Sequence, residues 1–326
     1  MDIELLHERA RIIRQVRAFF DRRDYLETDT PLLAPSLIPE SCLEVFQTLR
    51  LQPAGSRLAA KPYWLIPSPE VWMKRLIAQH RVSLYQICKC FRNGESSGRQ
   101  HSPEFTMLEY YTMQADYLDS LELTEALFAF LFKNEVLGKS GTALSPPFIR
   151  MTVAEAFRKW AGFDLYRAAA QPGGLEEQAL RLGLNPPPGL SVHDLYDIIF
   201  VHAVEPMINL DKPVALLDYP AFVPCLAKKG SSGQTVERWE LYARGIELAN
   251  CFTEETDAEE VRRFFESEKS AKEKTALVPH AVDDDYWKIF AGGFPPSSGV
   301  AMGLDRLIML LCGRKTVDGV LPFPME

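Results

Sequence analysis

Long apolar runs are missing from this chain of 326 residues: no stretch of about 18 consecutive apolar residues occurs, so no segment reads as a membrane-spanning helix. The opening segment, MDIELLHERARIIRQVRAFF, sets acids and arginines where a secretion signal needs an apolar core. Cysteine is sparse. Cys42, Cys88, Cys90, Cys225, Cys251 and Cys312 contain no C-x-x-C pair, so neither a disulfide framework nor a zinc ribbon is indicated, and the expected compartment is the cytoplasm. His7, His80, His193, His202 and His280 are scattered without metal-ligand spacing, which makes surface or core roles their default. Basic charge is the minority sign, with 36 Lys and Arg against 44 Asp and Glu, and a net charge of -8 disfavours non-specific binding to nucleic acid. Neither a Walker-type glycine loop nor G-x-G-x-x-G is present, so nucleotide binding through those loops is not indicated. Repeats, charge blocks and low-complexity tails are also missing.

What remains is an ordinary globular composition, 47% hydrophobic and 25% charged, in a chain long enough to bury a large core. Leu5, Ile12, Val16, Phe19 and Phe20 recur at helical spacing, and the helix they predict runs into the extended, proline-stopped DRRDYLETDTPLLAPS. In IPSPEVWMKRLIAQH, Ser68 can cap a helix beginning at Pro69, with Trp72, Met73, Leu76 and Ile77 on its buried side and Glu70 in its first turn. LYQICKCFRN and PEFTMLEYYTM read as two strands joined by the polar GESSGRQHS. A period of two puts Phe105, Met107, Glu109 and Tyr111 on one face of the second strand.

Helical patterns follow over about 115–138 and 152–162, the latter opened by a capping box of Thr152 and Glu155. QPGGLEEQALRLGLNPPPGL reads as a peripheral helix, and roughly 145–235 as an insertion into a single domain. In RWELYARGIELANCFTEE, Asn250, Phe252 and Glu254 share a strand face, and Thr256 with Glu259 reads as a second capping box. GVAMGLDRLIMLLCG predicts a small-residue strand and an apolar helix, in which Asp305 is expected to orient Arg306. Helices flank these strands without regular alternation, so the expected fold class is α/β in the α+β sense, built on a largely antiparallel sheet.

FFDRRDYLETDTPLL, FRNGESSGRQHSPEFTMLEYY and GVAMGLDRLIML resemble motifs one, two and three of the class II aminoacyl-tRNA synthetases. SPEVWMKRLI and GIELANCFTEETDA are similar to the lysyl branch in particular. The resemblance covers most of the chain. It implies a single catalytic core over 1–326, homodimerisation through motif one near Pro31, and the cofactors ATP and Mg²⁺. By the same resemblance Arg92 serves the α-phosphate, where a bidentate guanidinium suits an anion better than a lysine does. Phe105 and Arg306 sandwich adenine, Asn93 and Glu95 belong to the nucleotide site, and Arg99 and His101 lie near the departing pyrophosphate. Glu240 and Glu247 hold Mg²⁺ as hard oxygen ligands. Taken singly, these two glutamates would be ordinary solvated strand charges.

For the amino acid, the resemblance implies a site of Glu70, Glu109, Tyr111, Asn250, Phe252, Glu254 and Ala301, with Glu254 on the distal amine and Glu70 and Glu109 nearer the proximal one. The chain starts at the helix of motif one, so no anticodon-binding domain is expected, and it has Ala301 where lysyl-tRNA synthetases have glycine. Both features are similar to the tRNA-independent ligases that activate (R)-β-lysine and transfer it to a lysine of elongation factor P. The partners implied are therefore elongation factor P and lysine or β-lysine, with neither tRNA nor membrane. A synthetase-like core serving another acceptor, or a regulatory module without chemistry, are the other readings. Gly94 lengthens the motif-two loop by one residue, which bears on the role of Glu95.

Overall fold

The computed structural model describes residues 3–52, 60–94, 98–133 and 144–324. In chain order the elements are α1 (Ile3–Asp21), β1 (Leu26–Glu27), β2 (Leu33–Ala34), β3 (Gln47–Arg50), β4 (Lys61–Leu65), α2 (Glu70–His80), β5 (Leu84–Phe91), β6 (Glu104–Met113), α3 (Tyr117–Lys133) and β7 (Ile149–Thr152). They continue with α4 (Val153–Ala156), α5 (Leu165–Ala169), α6 (Gly174–Arg181), α7 (Val192–Ile199), β8 (Val214–Pro220), β9 (Thr235–Ala243), β10 (Ile246–Thr253), α8 (Ala258–Thr275), α9 (Lys288–Ala291), β11 (Ser297–Gly303) and α10 (Leu304–Leu311).

Eight strands form one sheet in the order β1-β5-β6-β11-β10-β9-β8-β7, and β2, β4 and β3 form a small second sheet. The six central strands are antiparallel, and a parallel strand is added at each edge, β1 beside β5 and β7 beside β8. This matches the expected antiparallel core. Alternation along the strands gives the sheet two different faces. Tyr85, Leu108, Tyr110, Val300, Met302, Trp239 and Leu241 turn to one side, where α1, α3 and α10 cover them with Ile12, Val16, Phe19, Phe20, Leu127, Phe128 and Leu307. The other face carries Met107, Glu109, Tyr111, Gly299, Ala301, Asn250, Phe252, Arg238 and Glu240 around a cavity.

Between β7 and β8 the helices α4 to α7 pack a second core, with Phe157, Leu175, Tyr196 and Phe200 against Val214, Leu216 and Tyr219. The capping box at Thr152 and Glu155 forms as its spacing predicts. The second one does not. Asp257 rather than Thr256 caps α8, accepting the N–H groups of Glu259 and Glu260, because its carboxylate reaches the first turn and its charge suits the positive helix end.

Candidate active site

Two rungs of the sheet build the floor of the cavity. In one, Glu109 pairs with Ala301, Ala301 with Asn250 and Asn250 with Glu240; in the next, Tyr111 pairs with Gly299, Gly299 with Phe252 and Phe252 with Arg238. Period-two side chains from four strands therefore converge on one surface. A register shift in β10 between Glu247 and Ala249 breaks the alternation, so Glu247 and Leu248 both line the cavity. α2, the segment around Glu40, and α8 complete the walls, enclosing about 580 Å³, a volume in the range of small-molecule sites. Gly299 keeps the floor open: a Cβ there would stand 2.5 Å from the Tyr111 ring and 2.7 Å from Glu254 Oε1.

One end of this cavity is a nest of buried carboxylates. Ser68 Oγ accepts the Glu70 N–H at 3.0 Å, fixing the start of α2, and donates to Glu109 Oε2 at 2.7 Å. Tyr111 Oη donates to Glu109 Oε1 at 2.6 Å. The Lys74 ammonium, one turn along α2 from Glu70, lies 2.5 Å from Glu70 Oε1 and 2.6 Å from Glu254 Oε2, with side-chain exposures of 0% for Lys74 and 1% for Glu254. Phe252 offers its ring to the same ammonium, 5.1 Å from the centroid. Burial, then the neighbouring charge of Glu70, pushes the Glu109 carboxyl up to about 7, against the lowering effects of Tyr111, Ser68 and Lys74. Burial raises Glu254 to about 8, against Lys74. Burial alone would lower the Lys74 pKa, but Glu254 and then Glu70 outweigh it and hold the ammonium above its ordinary value.

The remainder of the cavity joins arginines to a further carboxylate pair. The Arg92 guanidinium stands over the Phe105 ring, 5.2 Å from its centroid. Arg306 donates to the Gln100 and Glu247 carbonyls at 3.0 and 2.8 Å and lies 3.7 Å from the Glu247 carboxylate. Glu240 accepts from Arg238 at 2.5 Å, Tyr219 at 2.6 Å and Tyr242 at 2.7 Å, while Arg238 also donates to Asn250 Oδ1 at 3.0 Å. Burial and then the Glu240 charge raise the Glu247 carboxyl, with Arg306 and Arg92 opposing. Two carboxylates that repel each other on one wall are a donor set suited to a hard divalent cation.

Most residues singled out in the sequence meet here: Glu70, Arg92, His101, Phe105, Glu109, Tyr111, Glu240, Glu247, Asn250, Phe252, Glu254, Ala301 and Arg306 all line the cavity. Others do not. Asn93 turns away, donating to the Val45 carbonyl and accepting the Gly94 N–H. Arg99 is exposed, and its carbonyl accepts the Val317 N–H at 2.8 Å. Glu95 lies outside the described residues. Asp305 does not orient Arg306: it forms a buried ion pair with Arg9 at 2.6 Å and accepts the Thr106 N–H at 2.6 Å, because α1 brings a buried guanidinium that needs an anion. On α2, Met73 and Ile77 are buried as expected and Trp72 and Leu76 only half-buried, while Val71 and Lys74 take the remaining interior positions. The residues that sequence reasoning passed over are Lys74, Arg238, Ser68 as a partner of Glu109, and Glu40. Only Lys74 had a usable signal, its i,i+4 spacing from Glu70.

An antiparallel sheet that presents carboxylates and arginines on one face, with helices covering the other, defines a class II synthetase core. The family model for tRNA synthetases class II (D, K and N) matches residues 3–326, and the chain belongs to that family. It is an α/β protein of an ATP-dependent ligase family. Within that family the chain is 36% identical to the "Elongation factor P--(R)-beta-lysine ligase" of Avibacterium paragallinarum, covering 99% of this chain and 96% of the relative. The proteins of the same name from Vibrio atlanticus (strain LGP32) and Haemophilus influenzae (strain PittGG) are 35% and 33% identical, covering 99% and 100% of this chain and 96% of each relative. No described helix is long and apolar enough to cross a membrane.

Proposed function

We propose that this protein activates lysine or (R)-β-lysine with ATP and Mg²⁺ as an aminoacyl adenylate and transfers it to a lysine ε-amine of elongation factor P. The observation that carries this reading is the nest of the buried Glu109 and Glu254 with the partly buried Glu70, opening into the same cavity as Arg92 and Arg306. Carboxylates in low dielectric are costly unless a cation meets them, so the nest favours ammonium groups. The names of the relatives point to the same substrate and acceptor.

ATP would supply the leaving pyrophosphate, and Glu240 and Glu247 would hold Mg²⁺, which when bound would neutralise charge on it. Arg92 binds the anion that develops as carboxylate and α-phosphate meet, and does so with a fixed fork of donors. Phe105 and Arg306 bracket the adenine, a stacking contribution on the order of 1–3 kcal/mol. His101 sits on the pyrophosphate side. Glu254 takes the distal ammonium, and Glu70 and Glu109 the proximal one, with Asn250, Phe252 and Tyr111 shaping the space between. The Ala301 methyl, between Glu109 and Asn250 on the floor, narrows that space.

The working unit in this reading is a cytoplasmic homodimer formed through motif one, where Leu26 and Leu33 flank Pro31 with exposed apolar side chains. The chain is read as one catalytic domain, with 145–235 as a helical addition carried on β7 and β8. The test is amino-acid-dependent exchange of pyrophosphate into ATP with lysine and (R)-β-lysine side by side, followed by mass measurement of co-incubated elongation factor P. Exchange with a diamino acid and a mass gain of one residue on the factor are expected. Exchange without any mass gain would overturn the acceptor, and no exchange with any amino acid would overturn the activity.

A further inference from the structure

We propose that Lys74 is a positioning residue that holds Glu70 and Glu254 in place and sets the charge of the pocket so that it takes a substrate with two ammonium groups. The inference rests on the reading above and adds a device that decides which amino acids fit it. Three carboxylates, Glu70, Glu109 and Glu254, surround the amine end, and with Lys74 they sum to two negative charges when all are ionised. A diammonium substrate neutralises that remainder; a neutral side chain leaves one charge buried and unpaired, which is strongly unfavourable.

The geometry separates this role from that of a plain helix-face ion pair. Lys74 has no exposed side-chain surface, and it bridges carboxylates from two distant parts of the chain, α2 and the segment after β10. An exposed i,i+4 pair would contribute little. The groups facing the ammonium are Glu70 on its own helix, Glu254 after β10, Glu109 on β6, Tyr286 ahead of α9 and the ring of Phe252 on β10. Among the described residues neither oxygen of the buried Glu254 accepts a well-aligned hydrogen bond, but Oε2 has the Lys74 ammonium at 2.6 Å, whereas Oε1 has no cation and lies 2.7 Å from where a Cβ of Gly299 would stand, on the cavity floor. Lys74 thus anchors one oxygen of Glu254 and leaves the other to the ligand.

The experiment is calorimetric titration of lysine and (R)-β-lysine into the intact protein from pH 6 to 9, for wild type, Lys74→Met and Lys74→Arg, with ATP binding as the control. Lys74→Met is expected to weaken amino-acid binding about 100-fold with ATP binding unchanged. It should also move the midpoint of the pH dependence upward by about one unit, since a nearby cation no longer favours the ionised carboxylates. Unchanged affinity, an unmoved midpoint, or equal loss of ATP binding would overturn the proposal. If Lys74→Met fails to fold by circular dichroism, Lys74→Arg carries the test: its retained charge should keep the midpoint while affinity falls about tenfold. A shifted midpoint in that variant would overturn the proposal as well. Wild-type protein that binds neither diamino acid would instead refute the functional reading, and this inference with it.

Discussion

Loading of the amine pocket should release protons, and the structure sets how many. In the empty cavity burial pushes Glu109 up to about 7 and Glu254 up to about 8, so at pH 6 both are mainly protonated, while Glu70 pairs with the Lys74 ammonium. Two arriving ammonium groups favour the ionised carboxylates and displace those protons. Because the free-state pKa values are raised and binding lowers them, affinity must rise with pH and level off above about 8. Each carboxyl weakens apparent affinity by a factor of one plus ten to the power of its pKa minus the pH. With the values of about 7 and about 8, binding should tighten by a factor on the order of several hundred from pH 6 to pH 8, or ~4 kcal/mol. Titration calorimetry in two buffers of different ionisation heat reads the same process directly. About two protons should leave per diamino acid at pH 6 and fewer than about one at pH 8. An affinity that is flat or falls over this range, or heats independent of buffer, would refute the reasoning.

The ligand-free protein should be less heat-stable at pH 8 than at pH 6, because Glu40, Glu109 and Glu254 have folded-state pKa values of about 7, 7 and 8, above the ordinary 4.5. Saturation with a diamino acid should remove the part due to Glu109 and Glu254 in a scanning calorimeter. Gly299→Ala sets a methyl against the Tyr111 ring and Glu254 Oε1, so amino-acid binding should fall more than about 100-fold while ATP binding persists; an unaffected amino-acid affinity would show that the floor can move. Asp305→Asn leaves Arg9 buried without its anion and should cost about 3–5 kcal/mol in denaturant unfolding. A loss below about 1 kcal/mol would mean that the Val320 carbonyl and the Thr106 hydroxyl already satisfy Arg9.

Local rules carried the sequence reading furthest where one strand or one helix turn decides the outcome. The alternation of Phe105, Met107, Glu109 and Tyr111 is a property of β6 alone, and the pocket face follows from it. Asn250, Phe252 and Glu254 were legible for the same reason. Lys74 was legible only as an i,i+4 partner of Glu70 and not as a buried residue, since the approach of Glu254 from β10 is what makes an internal ammonium tolerable. Asp305 was misassigned because its partner Arg9 comes from the other end of the chain. Strict alternation would turn Glu247 away from the cavity that Leu248 lines, and what admits both is a bulge, which depends on the register of β9. At the start of α8 the capping-box spacing pointed to Thr256, whereas the backbone uses its neighbour Asp257.

The division of the sheet into two unlike faces has a consequence for redesign. Residues that pack against α1, α3 and α10 and residues that line the cavity alternate along the same strands, so few side chains serve both purposes. Changes at 250, 252 and 301 can be recombined in a library aimed at the amino acid accepted, while Tyr110, Cys251, Val300 and Met302 stay fixed along with Gly299 and Tyr111, which have no room to change. The strand that carries chemistry at odd positions of β6 carries foldability at even ones, so the range of amino acids accepted can be explored at modest risk to the scaffold.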